Sequence, residues 1–155
     1  MLEYVGGGDL YHEILRRRSR REHFSEEDVW TLFRDMSHGL QHLHENGVIH
    51  RDIKSLNILL TEDKQTAKIA DLGVSRQVSE DTLMLQSFYG TPLYASPELC
   101  ENKPYNEKTD IWSLGVVLYE MATLYPPFNS KNLVGLALKI KEGTYESLPP
   151  MYSDQ

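Results

Sequence analysis

The sequence predicts an α+β domain that is mainly helical and carries one small β-hairpin. Three observations predict it: a polar cap opening a run of apolar residues at helical spacing, a long segment apolar on most sides, and short β-type stretches parted by a polar turn. Ser25 with Asp28 three residues on resembles a capping box with an acid in place of the usual Glu. Val29, Phe33, Met36, Leu40 and Leu43 then fall on one helical face. That helix is predicted to stop at Asn46-Gly47, where glycine can take the left-handed conformation that closes a helix end. Three β-type pieces follow, Val48 to His50, Asn57 to Leu60 and Ala67 to Asp71, the last two joined across the polar turn Thr61 to Thr66. From Asp71 to Glu98 periodic features are few, and loops of that length in compact domains are usually functional or disordered. A second helix, roughly Glu107 to Leu124, is apolar on most sides through Ile111, Trp112, Leu114, Val116, Val117, Leu118 and Met121, and so belongs in the middle of the domain. It ends before Pro126-Pro127. A third, roughly Lys131 to Lys141, places Leu133, Leu136, Ala137 and Ile140 on one face and ends at Gly143.

Composition bounds what such a domain can do. With 155 residues, 40% of them hydrophobic and 25% charged, one ordinary globular domain is expected. Sixteen basic against 23 acidic residues give a net charge of -7, which argues against nucleic acid or an anionic membrane as partner. The single cysteine, Cys100, excludes an intramolecular disulfide and suits a reducing compartment, so a cytoplasmic protein is expected. No leader-like start and no segment of membrane-spanning length is read in the chain.

The chemistry concentrates in His50-Arg51-Asp52-Ile53-Lys54-Ser55-Leu56-Asn57, which sets a carboxylate, an amine and a carboxamide in one loop between short strands. Phosphoryl transfer needs those groups together. A carboxylate can orient an attacking hydroxyl and accept its proton, an ammonium can offset charge on the transferring group, and an amide oxygen can ligate magnesium. Fourteen residues after Asn57 comes Asp71-Leu72-Gly73, at the end of a β-type piece. A second oxygen ligand there suits the same hard cation. Each of these residues taken singly reads as a solvated loop residue; their order is what carries the reading.

That order resembles the catalytic loop and metal-binding motif of protein kinases, H-R-D-L-x-x-x-N and D-F-G. Leu72 stands where most of the family has Phe, and with Ile-Lys-Ser-Leu-Asn in the loop it looks most like the NIMA-related branch of the serine/threonine kinases. Ser96-Pro97-Glu98 resembles A-P-E, Gly90-Thr91-Pro92 the substrate-docking loop, and Asp110-Ile111-Trp112-Ser113-Leu114-Gly115 the start of the central helix, whose aspartate accepts hydrogen bonds from the catalytic-loop backbone. Glu3-Tyr4-Val5-Gly6-Gly7-Gly8-Asp9-Leu10 looks like the hinge between the two lobes.

The resemblance covers nearly the whole chain and implies the large lobe of the kinase fold. It implies ATP and Mg2+ as cofactors and protein substrates with a serine or threonine acceptor. By it, Asp52 and Lys54 are catalytic; Asn57 and Asp71 hold the metal; and Glu3, Val5, Asp9, Lys54, Asn57, Leu59 and Asp71 contact the nucleotide. Thr91 would bond the catalytic Asp52 and Lys54, Arg51 would supply charge that a phosphorylated activation segment neutralises, and Ser87 is the candidate phosphosite, ahead of Ser79 and Thr82. An association with cytoskeleton or cilium follows from the family alone. No G-x-G-x-x-G loop and no V-A-I-K lysine is found, and Gly6-Gly7-Gly8 cannot stand in for them. Residues 1–155 are therefore expected to be a partial kinase domain comprising hinge, catalytic loop, activation segment and central helices, without the small lobe or the last helices. Glu98 is expected to lack the arginine that the family pairs with it.

Other features have plainer readings. His38 and His42 lie one helical turn apart but lack the intervening glutamate of a metalloprotease, and are read as surface or packing residues. His50 is read as a prop for the loop rather than a general base. The run Arg16, Arg17, Arg18, Arg20 and Arg21 is read as a solvated helix end or loop before a docking surface. Trp112 and Phe128 are read as core.

Overall fold

The structure, a computed structural model, describes residues 4–71, 92–101, 103–104 and 106–153. Five α-helices and one two-stranded antiparallel sheet are seen among them: α1 (Leu10–Arg20), α2 (Glu26–Glu45), β1 (Ile58–Leu60), β2 (Ala67–Ile69), α3 (Pro97–Cys100), α4 (Lys108–Thr123) and α5 (Leu133–Glu142). Two 3-10 turns, Ser55–Asn57 and Pro92–Tyr94, complete the order. The mainly helical α+β arrangement with a single hairpin is the expected one.

α2 forms where its pattern places it. The Ser25 hydroxyl accepts the Asp28 backbone N–H at 3.1 Å, three acids fill the first turn, and Gly47 closes the far end at φ 71. Val29, Leu32, Met36 and Leu40 are buried along one side, where they meet the hairpin and α4. α4 is the central element. Leu114, Val117 and Met121 enter the main core, Ser113 and Glu120 are buried as well, and Leu124 ends the helix in the left-handed region at φ 65. α5 opens with the Asn132 side chain accepting from Gly135 N at 2.8 Å and ends at Gly143, φ 65. It buries Leu136 and Ile140 in a smaller cluster with Phe128, on which Trp112 stacks at 5.9 Å. Leu133, placed by periodicity on that face, is 45% exposed because it sits in the first turn, beyond the contact.

Two departures are informative. Val48 to His50 is not a strand: β1 pairs with β2 through Ile58–Ile69, Leu59–Lys68 and Leu60–Ala67, while the His50 amide is taken by the Asp110 carboxylate. α1 lies where an arginine run was read as a solvated helix end or loop, just after the stretch read as a hinge. Asp9 caps it, accepting His12 N at 2.9 Å, and Leu10 and Ile14 are wholly buried.

The arginines of that run do specific structural work. Arg16 and Arg17 both bond the buried Glu13, at 2.6 Å and 2.9 Å. Arg17 also lies over the Phe24 ring. Arg18 donates Nε to the Leu124 carbonyl at 2.7 Å and stacks over Tyr125, so it caps the C-terminal end of α4. Arg20 and Arg21 are exposed, as the solvated reading expects.

The glycine run packs its backbone against the hairpin. Leu60 N donates to Gly8 O at 2.8 Å, Asp9 bridges Leu59, and the Lys64 ammonium bonds the Gly7 carbonyl. A Cβ on Gly7 would lie 2.0 Å from Thr61 O and 2.2 Å from Leu60 O, so only glycine allows this approach.

Candidate active site

The loop from His50 to Asn57 is held from below by α4. Asp110, in that helix's first turn and 1% exposed, accepts His50 N on Oδ2 and Arg51 N on Oδ1, each at 2.8 Å. His44, at the end of α2, adds Nε2 at 2.9 Å to Oδ2. These bonds turn the chain at Arg51, whose φ is 70. A side chain in that region costs about 1 kcal/mol, and the paired amides offset it.

His50 is buried and acts as the prop expected of it. The Ala70 carbonyl can only accept, so Nε2 donates to it at 3.0 Å and Nδ1 accepts the Asp52 amide at 3.3 Å. One imidazole thus joins the loop to the chain end of β2. Ala70 N returns a bond to Asn57 O at 2.8 Å, which places Asp71 one residue beyond a doubly tied position. Asp71 is exposed and left-handed at φ 64.

On this frame three of the expected side chains meet. Lys54 Nζ lies 2.9 Å and 2.7 Å from the two oxygens of Asp52. Asn57 Nδ2 donates to Asp52 Oδ2 at 2.9 Å and to its carbonyl at 2.8 Å. Asn57 is buried, whereas the side chains of Asp52 and Lys54 are 33% and 30% exposed, so the carboxylate is held on one side by a buried amide and is still open to solvent. The amide nitrogen of Asn57 is spent on Asp52, which leaves its oxygen as the atom suited to a cation.

The remaining expected residues are placed as follows. Val5 and Leu59 are half-buried beside the glycine run, Val5 at a cavity of about 230 Å³ shared with Thr61, Glu62 and Lys68. Asp9 has its carboxylate engaged by the α1 cap and by His12 Nδ1 at 2.8 Å, a structural duty that sequence did not disclose. Glu98 accepts the Thr109 hydroxyl at 2.8 Å. Burial works against its charge, but its own backbone N–H and that hydroxyl outweigh this and hold its carboxyl below the usual range. Glu3, Leu72, Gly73, Ser79, Thr82, Ser87, Gly90 and Thr91 lie outside the described residues. Sequence reasoning missed His44 as a partner of Asp110; its place in the last turn of the helix was the available signal.

Among the described residues no group of three or more His, Cys, Asp or Glu could hold a metal ion, and His38 and His42 are both exposed. The Asn57 amide oxygen lies in the Asp52 cluster, and Asp71 directly follows Ala70, whose amide is bonded to Asn57 O; oxygen donors of this kind are what magnesium prefers. No helix among the described residues is long and apolar enough to cross a membrane.

A domain of this kind, with a loop aspartate held beside a lysine and an asparagine above a central helix, has counterparts among known proteins. The protein kinase domain family matches residues 1–149, and the chain belongs to that family. It is 46% identical over 153 residues to the serine/threonine-protein kinase Nek5 of Mus musculus, covering 99% of this chain and 24% of the relative. Against the human Nek5 it is 44% identical over 153 residues, 99% of this chain and 21% of the relative. Against the human serine/threonine-protein kinase Nek2 it is 39% identical over 160 residues, 100% of this chain and 36% of the relative. The chain thus spans about a quarter of the length of the first of these.

Proposed function

We propose that this chain carries the phosphotransfer machinery of a serine/threonine kinase, moving the γ-phosphoryl group of ATP to a hydroxyl on a protein substrate. One observation carries the reading: Lys54 and Asn57 both bond the Asp52 carboxylate, itself part-exposed, on a loop locked to α4 by Asp110. Asp52 orients the acceptor hydroxyl and takes its proton at a carboxylate oxygen. Lys54 holds that carboxylate aligned through both of its oxygens, and its ammonium would offset negative charge on the transferring group. Asn57 and Asp71 would hold Mg2+, which when bound supplies charge neutralisation of the phosphates. Val5 and Leu59 would line the adenine side with the backbone of Glu3, and Asp9 would reach the ribose while sharing its carboxylate with His12. Thr91 and Arg51 would serve the acceptor and activation segment, with Ser87 as phosphosite. The acidic balance, -7 overall, argues against nucleic acid or an anionic membrane as partner.

A second reading concerns the 155 residues taken by themselves. They contain no glycine-rich phosphate cover and no V-A-I-K lysine, so alone they should bind ATP weakly and turn over little. A phosphotransfer assay on the chain and on the same chain joined to a kinase upper lobe separates the two readings. Turnover only in the joined protein, abolished by Asp52→Asn, supports both. Equal turnover in both forms overturns the second, and a joined, folded protein indifferent to Asp52→Asn overturns the first.

A further inference from the structure

The arginine run of α1 takes no part in phosphotransfer, and it encloses a hydroxyl. Five of the six residues from Arg16 to Arg21 are arginine, in a chain whose net charge is -7, and the sixth is Ser19. Ser19 lies in the last turn of α1 and is exposed, its hydroxyl donating to Arg16 O at 2.7 Å. Arg16, Arg17 and Arg18 precede it directly, so guanidinium groups stand three, two and one positions before an accessible serine. A kinase whose substrate groove is acidic selects its acceptor by that pattern, each guanidinium meeting a carboxylate as a fork.

The end of α1 is also the part of that helix that opens at least cost. Leu10, Glu13 and Ile14 are buried, whereas from Arg16 to Arg21 no residue is, and the helix breaks at Arg21, φ 58. Ser37 shows that the spacing alone is not enough. Arg34 stands three residues before it, yet Ser37 is half-buried in the middle of α2 with its hydroxyl on Phe33 O at 2.8 Å. A phosphate on Ser19 would change the contacts of the helix end in one sense. It removes the hydroxyl donor from Arg16 O and sets up to about two negative charges beside the negative end of the helix. It also competes with Glu13 for Arg16, one turn back on the same face, and with the Leu124 carbonyl for Arg18 beside it. Since α1 packs on the Ser55–Asn57 turn and on β1, the loosened end belongs to an element that braces the catalytic loop.

We propose that Ser19 is a phosphoacceptor for a separate, basophilic serine/threonine kinase, and that the phosphate loosens the end of α1 from Glu13 and Leu124. In the step, Ser19 Oγ bonds to the γ-phosphorus of ATP as the bond from that phosphorus to the β,γ-bridging oxygen breaks. ADP leaves, and the hydroxyl proton passes to a carboxylate of the modifying kinase. The probe is the catalytic subunit of cyclic-AMP-dependent protein kinase with ATP and Mg2+, acting on the folded 155-residue chain. Digestion after glutamate yields the fragment Ile14–Glu22, and mass spectrometry should find it phosphorylated. Ser19→Ala should abolish that label, and Arg16→Lys, which keeps a cation beside Glu13, should slow it about ten-fold. Ser37 should stay unmodified. Arg76 precedes Ser79 by the same three residues, but Ser79 falls on another fragment. In the phosphorylated chain, hydrogen exchange of amides 18–22 should quicken about three-fold or more, with amides in the middle of α2 unchanged, and phosphatase treatment should restore it. An unlabelled Ile14–Glu22 fragment, label on the Ser79 fragment alone, or Ser37 labelled as fast as Ser19 overturns the site. Label at Ser19 with unchanged exchange at 18–22 overturns the loosening.

Discussion

Asp110 holds the backbone amide of Arg51 at 2.8 Å while Arg51 sits in the left-handed region at φ 70. The same carboxylate takes the His50 amide and His44, so one side chain on α4 satisfies three donors beneath the catalytic loop. Asp110→Ala would bury two amides without acceptors, and should cost about 3 kcal/mol of stability. Urea denaturation measures the loss. Exchange protection at His50 and Arg51 should fall by more than protection within α2, and equal loss everywhere would show that the contact is not local.

Gly7 makes a second, independent prediction. With Thr61 O and Leu60 O at 2.0 Å and 2.2 Å from where a Cβ would stand, Gly7→Ala must push the glycine run off the hairpin. A destabilisation of about 2–3 kcal/mol is expected, because the obstacle is backbone and cannot rotate away. Gly115→Ala is the control. Nothing lies within 4 Å of its Cβ position, so the helix should gain up to about 1 kcal/mol. Thermal melts of the two variants should move in opposite directions.

How much of this was legible beforehand depends on the range of the interaction. α2 could be read because Ser25, Asp28 and its apolar face are local, and the same holds for the Asn132 start and Gly143 stop of α5. α1 was obscured by its own arginines: Leu10 and Ile14 are buried, but the run from Arg16 to Arg21 reads as solvated until Glu13 and Leu124 are seen to receive Arg16, Arg17 and Arg18. Val48 to His50 has strand-like residues and fails as a strand because its amide is claimed from α4, 60 residues away. Asp52, Lys54 and Asn57 were legible as a set because they lie within one short loop. The hydrogen bonds Ser55–Tyr94 and Tyr94–Glu120 were not, since they span 39 and 26 residues and leave no periodic trace.

Glu13 predicts an acid limb in stability. It is 4% exposed, and the Arg16 hydrogen bond foremost, opposed by burial and joined by Arg17, lowers its pKa from 4.5 to about 2. A carboxyl depressed on folding stabilises fully above its unfolded value near 4.5, and that contribution is lost as pH falls towards about 2. Allowing for solvent around Arg16, the contribution is on the order of 2 kcal/mol. Glu13→Gln should therefore be less stable than the wild type at pH 6. The gap should narrow between pH 4.5 and 2, and a gap independent of pH would assign the effect to packing.

Asn57→Asp tests the electrostatics of the site without needing turnover. In the wild type, Asn57 Nδ2 donates to Asp52 Oδ2 at 2.9 Å. Exchanging the amide for a carboxylate puts two like charges on that contact, with the single Lys54 ammonium on the same Oδ2 unable to neutralise both. Asn57→Ala loses the same hydrogen bonds but adds no charge, so the difference between the two variants isolates the repulsion. At pH 7, Asn57→Asp should be the less stable of the two by about 1–2 kcal/mol, or one carboxyl should hold its proton well above the usual carboxylate range. Acidification protonates both groups, and the two variants should converge by roughly pH 3. Millimolar Mg2+ should also narrow the gap at pH 7 if Asn57 faces the cation, since a divalent charge between the carboxylates reverses the sign of their interaction. Equal stability of the two variants at pH 7 without metal would mean that residue 57 does not lie against Asp52 in solution.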